Sequence, residues 1–319
     1  MSAHRLTSTI LKRLSAALLA VRTPLTTQAA VALSSQWHTY VDRPDRNGFE
    51  TLLRAHPLLA DNVQLTGTGV LLITQADRLI KVGMGQGAAR ALEREFANYQ
   101  ALQQSQLRPL VDYSHCRISR DDAELAIYRV QRLTLSPQPD VDAHSVLDTL
   151  AQYLSPEHQP LSRIMPDAMA RGVQALTVIC GRPPPAETLR RALSSHWRPA
   201  PMHGDLTRSN VMRAGARPVL IDLDRFTTRG VHEFDLVHLK IDTLVRARGT
   251  GWLAIVTQQR KALTQTVPRW TELRVPYFLH RVGAEFRPEV TMPPHWTQEV
   301  AAAWQRLIGE PDGALEAVA

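Results

Sequence analysis

The sequence predicts an α+β protein in which a small antiparallel β lobe carrying one helix precedes a larger, mainly helical lobe. Three observations predict it. Strand-like runs at 63–66, 70–74 and 78–82 follow one another through short turn-type links, as in a meander of hairpins. One helix-like stretch from about 86 to 104 comes next, and two further strand-like runs, "CRIS" and "ELAIYRV", follow it. Beyond residue 140 helical periodicity dominates, broken by "GRPPP" at 181–185 and by the segment 200–225.

Residues 1–57 read as a basic, partly helical extension, 58–134 as the β lobe and 135–319 as the helical lobe. No Asp or Glu precedes Asp42, and Leu6, Ile10, Leu14, Leu18 and Val21 recur at helical spacing among Arg5, Lys12, Arg13 and Arg22. Residues 1–35 therefore suit peripheral contact with an anionic membrane surface, on the inner face of a cytoplasmic membrane. A helix packed on the rest of the protein, or a frayed terminus, fits the same pattern.

The net charge of +7 and a pI near 9.8 favour anionic partners. No run of five Lys or Arg occurs and aromatic residues make up 6%, so a nucleic-acid role has no motif behind it. Two cysteines, Cys116 and Cys180, with no C-x-x-C, argue against a disulfide scaffold or zinc module and fit a reducing cytoplasm.

The chemistry is concentrated in "MHGDLTRSNVM" (202–212) and "PVLIDLDRF" (218–226). Asp205 and Asn210 are five residues apart, and Asp222 lies twelve beyond Asn210, at the end of an apolar strand-like run. The runs "VMR" and "PVLID", joined by "AGA", form a strand–turn–strand that is expected to bring Asn210 and Asp222 together. Metal-assisted phosphoryl transfer uses such a set: one carboxylate beside the attacking hydroxyl, and a carboxylate with an amide oxygen holding Mg²⁺ against the phosphates.

These segments resemble the protein-kinase-like superfamily, in its aminoglycoside phosphotransferase/choline kinase branch. Protein kinases carry H-R-D-L-x-x-x-N and a later D-F-G; this chain has Gly204 in place of that arginine and "IDLD" in place of D-F-G. The resemblance implies a bilobal kinase-like fold and a kinase using ATP or GTP with Mg²⁺. By it, Asp205 is the catalytic base, Asn210 and Asp222 are Mg²⁺ ligands, and Asp224 assists with a second ion. His203 holds the loop, and Asp235 in "HEFDLVHL" braces it.

The resemblance also assigns the β lobe. Lys81, central in the third strand, is the expected phosphate-binding lysine. Ala88, Leu92, Phe96, Tyr99 and Leu102 define the apolar stripe of the following helix, and Glu95 falls inside it while Glu93 projects elsewhere. A carboxylate in an apolar stripe is costly unless paired, so Glu95 is the expected partner of Lys81. Gly67 and Gly69 in "LTGTGVL" would let backbone N–H groups approach the phosphates. Gly83-x-Gly85-x-x-Ala88 also matches a dinucleotide fingerprint, but residues 101–106 lack the acidic residue such a unit needs. Gly83, Gly85 and Gly87 read instead as a flexible link that lets Glu95 swing toward Lys81.

For the acceptor, residues 245–287 carry eight basic groups against Glu272 and Glu285. That balance suits an anionic small molecule or glycan. The "LIDLDR" stretch looks similar to lipopolysaccharide-core and acidic-sugar (Kdo) kinases. The rival expectations are a kinase of aminoglycoside or choline type, and a non-catalytic nucleotide-binding regulator. Lys81, Asp205, Asn210 and Asp222 together argue against the last.

Overall fold

The computed structural model describes residues 62–65, 70–74, 77–84, 86–117, 125–286, 292 and 294–309. The expectations for the extension 1–57, for Gly67, Gly69 and Gly85 and for Arg287 lie outside these residues. Among the described residues no helix is long and apolar enough to cross a membrane.

In chain order, β1 (Asn62–Leu65), β2 (Val70–Thr74) and β3 (Arg78–Met84) lead into α1 (Gln86–Gln103), and β4 (His115–Arg117), β5 (Leu125–Gln131) and β6 (Thr134–Leu135) follow. Next come α2 (Pro139–Ala151), β7 (Gln159–Pro160), α3 (Leu161–Ile164), α4 (Pro166–Cys180), α5 (Ala186–Ser194), β8 (His196–Trp197) and β9 (Pro199–Met202). The strands β10 (Val211–Ala214), β11 (Arg217–Leu220) and β12 (Thr227–Val231) precede α6 (His232–Arg248), α7 (Trp252–Gln258), α8 (Arg260–Thr266), α9 (Trp270–Glu285) and α10 (Pro294–Gly309). The fold class is the expected one, α+β.

The chain divides into two compact units. The first holds the described residues up to Pro137 and also Met212–Arg225, which lie within the segment 135–319 by sequence; the second holds Gln138–Val211 and the described residues from Phe226 onward.

In the first unit, five strands form an antiparallel sheet in the order β1-β2-β3-β5-β4. The two-residue period of a strand puts Lys81 and Gly83 on one face of β3. Their cross-strand neighbours there are Leu72 and Val70 on β2 and Tyr128 and Ala126 on β5. Val70, Ala126 and Tyr128 pack against Ala88, Ala89 and Leu92 of α1, so this is the face the helix covers. Lys81 therefore points toward α1.

At Gly83 the chain is not a loose link. It is buried, and a Cβ there would lie 2.7 Å from the Ala88 carbonyl oxygen. Glycine is required because the strand end and the helix start touch backbone to backbone. The segment between the two predicted lobes forms a strand: β6 pairs with β10, Met212 opposite Leu135 and Arg213 opposite Thr134. Pro139 then opens α2, with Asp140 and Asp142 in its first turn; a proline at that position and carboxylates near the N-terminus both favour a helix start.

The second unit is built on a helical core that includes Leu176 of α4, Phe234 of α6, Trp270, Tyr277 and Phe278 of α9, and Trp304 of α10. Two glycines let α4 and α9 meet: a Cβ on Gly172 would lie 2.2 Å from the Leu279 carbonyl oxygen, and one on Gly283 would lie 2.6 Å from the Gly172 nitrogen. The strand β9 pairs with β12 and delivers the chain into His203 at the rim of this core.

Candidate active site

In the first unit the apolar stripe of α1 places Glu95 three residues after Leu92, on the face that covers the sheet. Lys81 Nζ donates to Glu95 Oε1 at 2.7 Å and to Asp222 Oδ1 at 2.5 Å. Glu93 leaves by another side and pairs with Arg117 at 2.6 Å. Lys81 and Glu95 are each 4% exposed, whereas the Asp222 carboxylate is half exposed. Burial works against the charge on Lys81, but Asp222 and Glu95 outweigh it, so the ammonium holds its proton more tightly than an ordinary lysine. Burial pushes the Glu95 carboxyl up to about 7, against the pull of Lys81.

Asp222 ends the run after β11 with φ at 56°, a left-handed conformation that a non-glycine residue adopts at some cost. The turn Leu223–Arg225 follows, and Asn98 Nδ2 donates to the Leu223 carbonyl at 2.7 Å. Asn98 lies three residues beyond Glu95, so one face of α1 grips both the lysine strand and the aspartate turn. Asp224 sits part-exposed in that turn and adds to the upward push on Glu95.

A cavity of about 180 Å³ opens beside Lys81 and Glu95, walled by Leu79, Tyr113, Val130, Leu133, Met212 and Ile221 among others. The Tyr113 hydroxyl is buried and has no hydrogen-bond partner among the described residues. Apolar walls with a few charged groups are the make-up of a small-molecule pocket. Sequence reasoning missed Asn98 and the cavity walls. For Asn98 a signal existed, in its helical offset from Glu95.

The second unit holds the loop after β9. Asp235, in the first turn of α6 and 1% exposed, accepts the His203 N–H on Oδ2 at 2.6 Å and the Gly204 N–H on Oδ1 at 2.9 Å. Burial pushes its carboxyl up, and His203 and the two N–H groups pull it back. His203 is fully buried, and its Nδ1 accepts the Asp205 N–H at 3.3 Å. Gly204 has φ at 80°, the left-handed region where a side chain is disfavoured. Asn210 Nδ2 donates to the Asp205 carbonyl at 2.8 Å. Downstream, Arg208 is tied to Asp140 of α2 at 3.0 Å, and its N–H to Asp242 of α6 at 3.4 Å.

The Asp205 carboxylate is itself gripped: its Oδ1 accepts from Arg281 Nη1 at 2.6 Å and lies 3.0 Å from His238 Nε2. Neither partner was assigned to Asp205 from sequence. Both lie far along the chain, and no local pattern links them to it.

The basic surplus of 245–287 is partly spent inside the unit. Arg246 pairs with Asp242 at 3.0 Å, and Arg269 pairs with Glu272 at 2.5 Å while lying 3.9 Å above the Trp197 ring. Arg281 takes Asp205 and Glu285, and Arg274 is buried. Counting charges along the sequence could not see these partners.

Asn210 belongs to the second unit, and Asp222 and Asp224 to the first. Their donor chemistry fits magnesium, which takes oxygen ligands and keeps several waters. The Asn210 amide spends its nitrogen on the loop, so oxygen is the atom it offers outward. Among the described residues no group of three or more His, Cys, Asp and Glu is assembled as a metal site.

Residues 60–274 match the profile of the phosphotransferase enzyme family. No curated protein sequence matches significantly. Among solved structures, the chain is similar to the ADP-bound aminoglycoside phosphotransferase APH(2'')-Ib, at 15% identity and TM-score 0.44, covering 77% of this chain and 93% of that one. It is similar to a choline kinase from Streptococcus pneumoniae at 13% identity and TM-score 0.43, covering 79% and 94%. It is also similar to an aminoglycoside phosphotransferase from Streptomyces rimosus at 17% identity and TM-score 0.39, covering 83% and 97%.

Proposed function

The chain belongs to the phosphotransferase enzyme family, and from that premise we propose that it is a kinase moving the γ-phosphate of Mg·ATP to a hydroxyl of a small molecule. The observation that carries this reading is Lys81, buried between Glu95 and Asp222 beside a cavity of about 180 Å³. A lysine so placed can trade Asp222 for nucleotide phosphates without leaving Glu95. In this reading Asn210, Asp222 and Asp224 hold Mg²⁺, which when bound offsets charge on the phosphates. Asp205 faces the acceptor hydroxyl, orienting it and accepting its proton, while Asp235 and His203 keep the loop in place. Catalysis would come mainly from positioning and electrostatics.

For the acceptor, the kinases of aminoglycoside and choline type are the class nearest to hand. The lipopolysaccharide-core reading rests on "LIDLDR" and on the basic surplus, and that surplus is reduced by internal pairing. The test is Mg²⁺-dependent ATP consumption with a panel of aminoglycosides, choline, neutral sugars and anionic sugars. Turnover with one acceptor class, cut to a small residual rate in Asp205→Asn, is expected. Unchanged turnover in that variant would sink the assignment of Asp205.

A further inference from the structure

We infer that Arg281 and His238 are positioning residues for Asp205: they fix its carboxylate through one oxygen, so that the group facing the acceptor is set before any acceptor arrives. The inference rests on the reading of Asp205 given above and adds the parts that aim it.

The Asp205 side chain is 28% exposed, and a carboxylate turns about two bonds unless it is held. A phosphoryl transfer that is mostly positioning demands a fixed carboxylate, and asks less of its strength as a base. Arg281 supplies a charge-assisted hydrogen bond of 2.6 Å to Oδ1. His238 Nε2 stands 3.0 Å from the same oxygen. An ionised carboxylate can only accept, so His238 carries its proton on Nε2. In the neutral ring Nδ1 then accepts from the Tyr277 hydroxyl, 2.9 Å away. Burial pushes that phenol up, so it stays protonated and able to donate.

Each positioning group is itself held. Arg281 Nε lies 2.7 Å from Glu285 Oε1, one helical turn on, and Trp252 Nε1 donates to Glu285 Oε2 at 3.1 Å. Burial works against the charge on Arg281, but Glu285 and Asp205 outweigh it, so the guanidinium stays charged. Glu285 alone would satisfy a structural arginine by an ordinary i,i+4 pair. The further hydrogen bond to Asp205 is what a structural role does not require. His238 follows Asp235 by three residues, so one face of α6 holds the loop backbone through Asp235 and the side chain through His238.

The test uses water as the acceptor: phosphate release from Mg·ATP by the full chain, in the presence and absence of Asp205. Arg281→Gln is expected to lower kcat about 30- to 100-fold, with KM for ATP unchanged within about twofold. Arg281→Lys, which keeps the charge, recovers part of the rate. In an Asp205→Asn background, adding Arg281→Gln changes the rate by less than about twofold, because the two act as one unit. Equal losses in both backgrounds, or a raised KM with unchanged kcat, overturn the inference and leave the kinase reading standing. Wild-type protein that forms no ADP from Mg·ATP, with water or with any acceptor of the panel, overturns the kinase reading and this inference with it. Should Arg281→Gln fail to fold because Glu285 is left unpaired, the double variant Arg281→Met/Glu285→Met removes both charges and carries the same comparison.

Discussion

Lys81 and Asp222, 141 residues apart in sequence, meet at 2.5 Å. The same ammonium lies 2.7 Å from Glu95, and the Lys81–Glu95 pair is almost wholly buried. Removing one partner of such a pair strands the other. Lys81→Met is expected to destabilise the first unit by about 3 kcal/mol and to abolish the thermal stabilisation that Mg·ATP gives the wild type. Lys81→Met/Glu95→Leu should regain much of the stability but none of the nucleotide response. A single variant as stable as wild type in urea unfolding would contradict the pairing energetics.

Asp235 holds the loop through two backbone N–H groups, of His203 and Gly204. In Asp235→Ala both donors lose a buried acceptor, at about 1–3 kcal/mol each. The variant should lose at least about tenfold in kcat while Mg·ATP still raises its melting temperature. Loss of nucleotide binding along with turnover would show that the loop's bracing reaches further than the geometry says.

His115 is buried among the rings of Phe96, Tyr99 and Tyr128, and neither of its ring nitrogens has a hydrogen-bond partner among the described residues. Burial, helped by Lys81 and opposed by Asp222, lowers its pKa to about 3 from 6.5. The unfolded chain therefore takes up this proton before the folded one does. Stability should fall as pH drops from about 6.5 toward 3, and be unaffected by this group above that range. His115→Phe keeps the packing and removes the titration, so its acid unfolding midpoint should move to lower pH. A midpoint that does not move would remove His115 from the account of acid sensitivity.

Gly172 and Gly283 let α4 and α9 touch through their backbones, and α9 carries Tyr277, Arg281 and Glu285. A methyl group on Gly172 would meet the Leu279 backbone, which cannot rotate away. Gly172→Ala should cost about 1–3 kcal/mol and shift α9, lowering phosphate release while nucleotide binding stays intact. Wild-type melting temperature and rate together would show that the helices part without consequence.

Much of the first unit was legible because its determinants are local. Period-two runs with short links gave the β1–β3 meander, and the stripe of α1 singled out Glu95 over Glu93, which is where the hydrogen bonds fall. The strand β6 was not legible: its partner β10 lies almost 80 residues on, and two residues carry no period. Arg281 and His238 were hidden for the same reason. The pairing of Arg246 and Arg269 with acids was equally invisible to a count of charges, and so the anionic lining was overdrawn.

The backbone contact between Gly83 and Ala88 bears on regulation. A kinase can be switched by a helix that carries its glutamate toward or away from the lysine, but that requires slack where helix and strand join. Here Gly83 and Ala88 meet backbone to backbone, which leaves little such slack at the strand end. A side chain at Gly83 would push strand and helix apart, and with them Lys81 and Glu95.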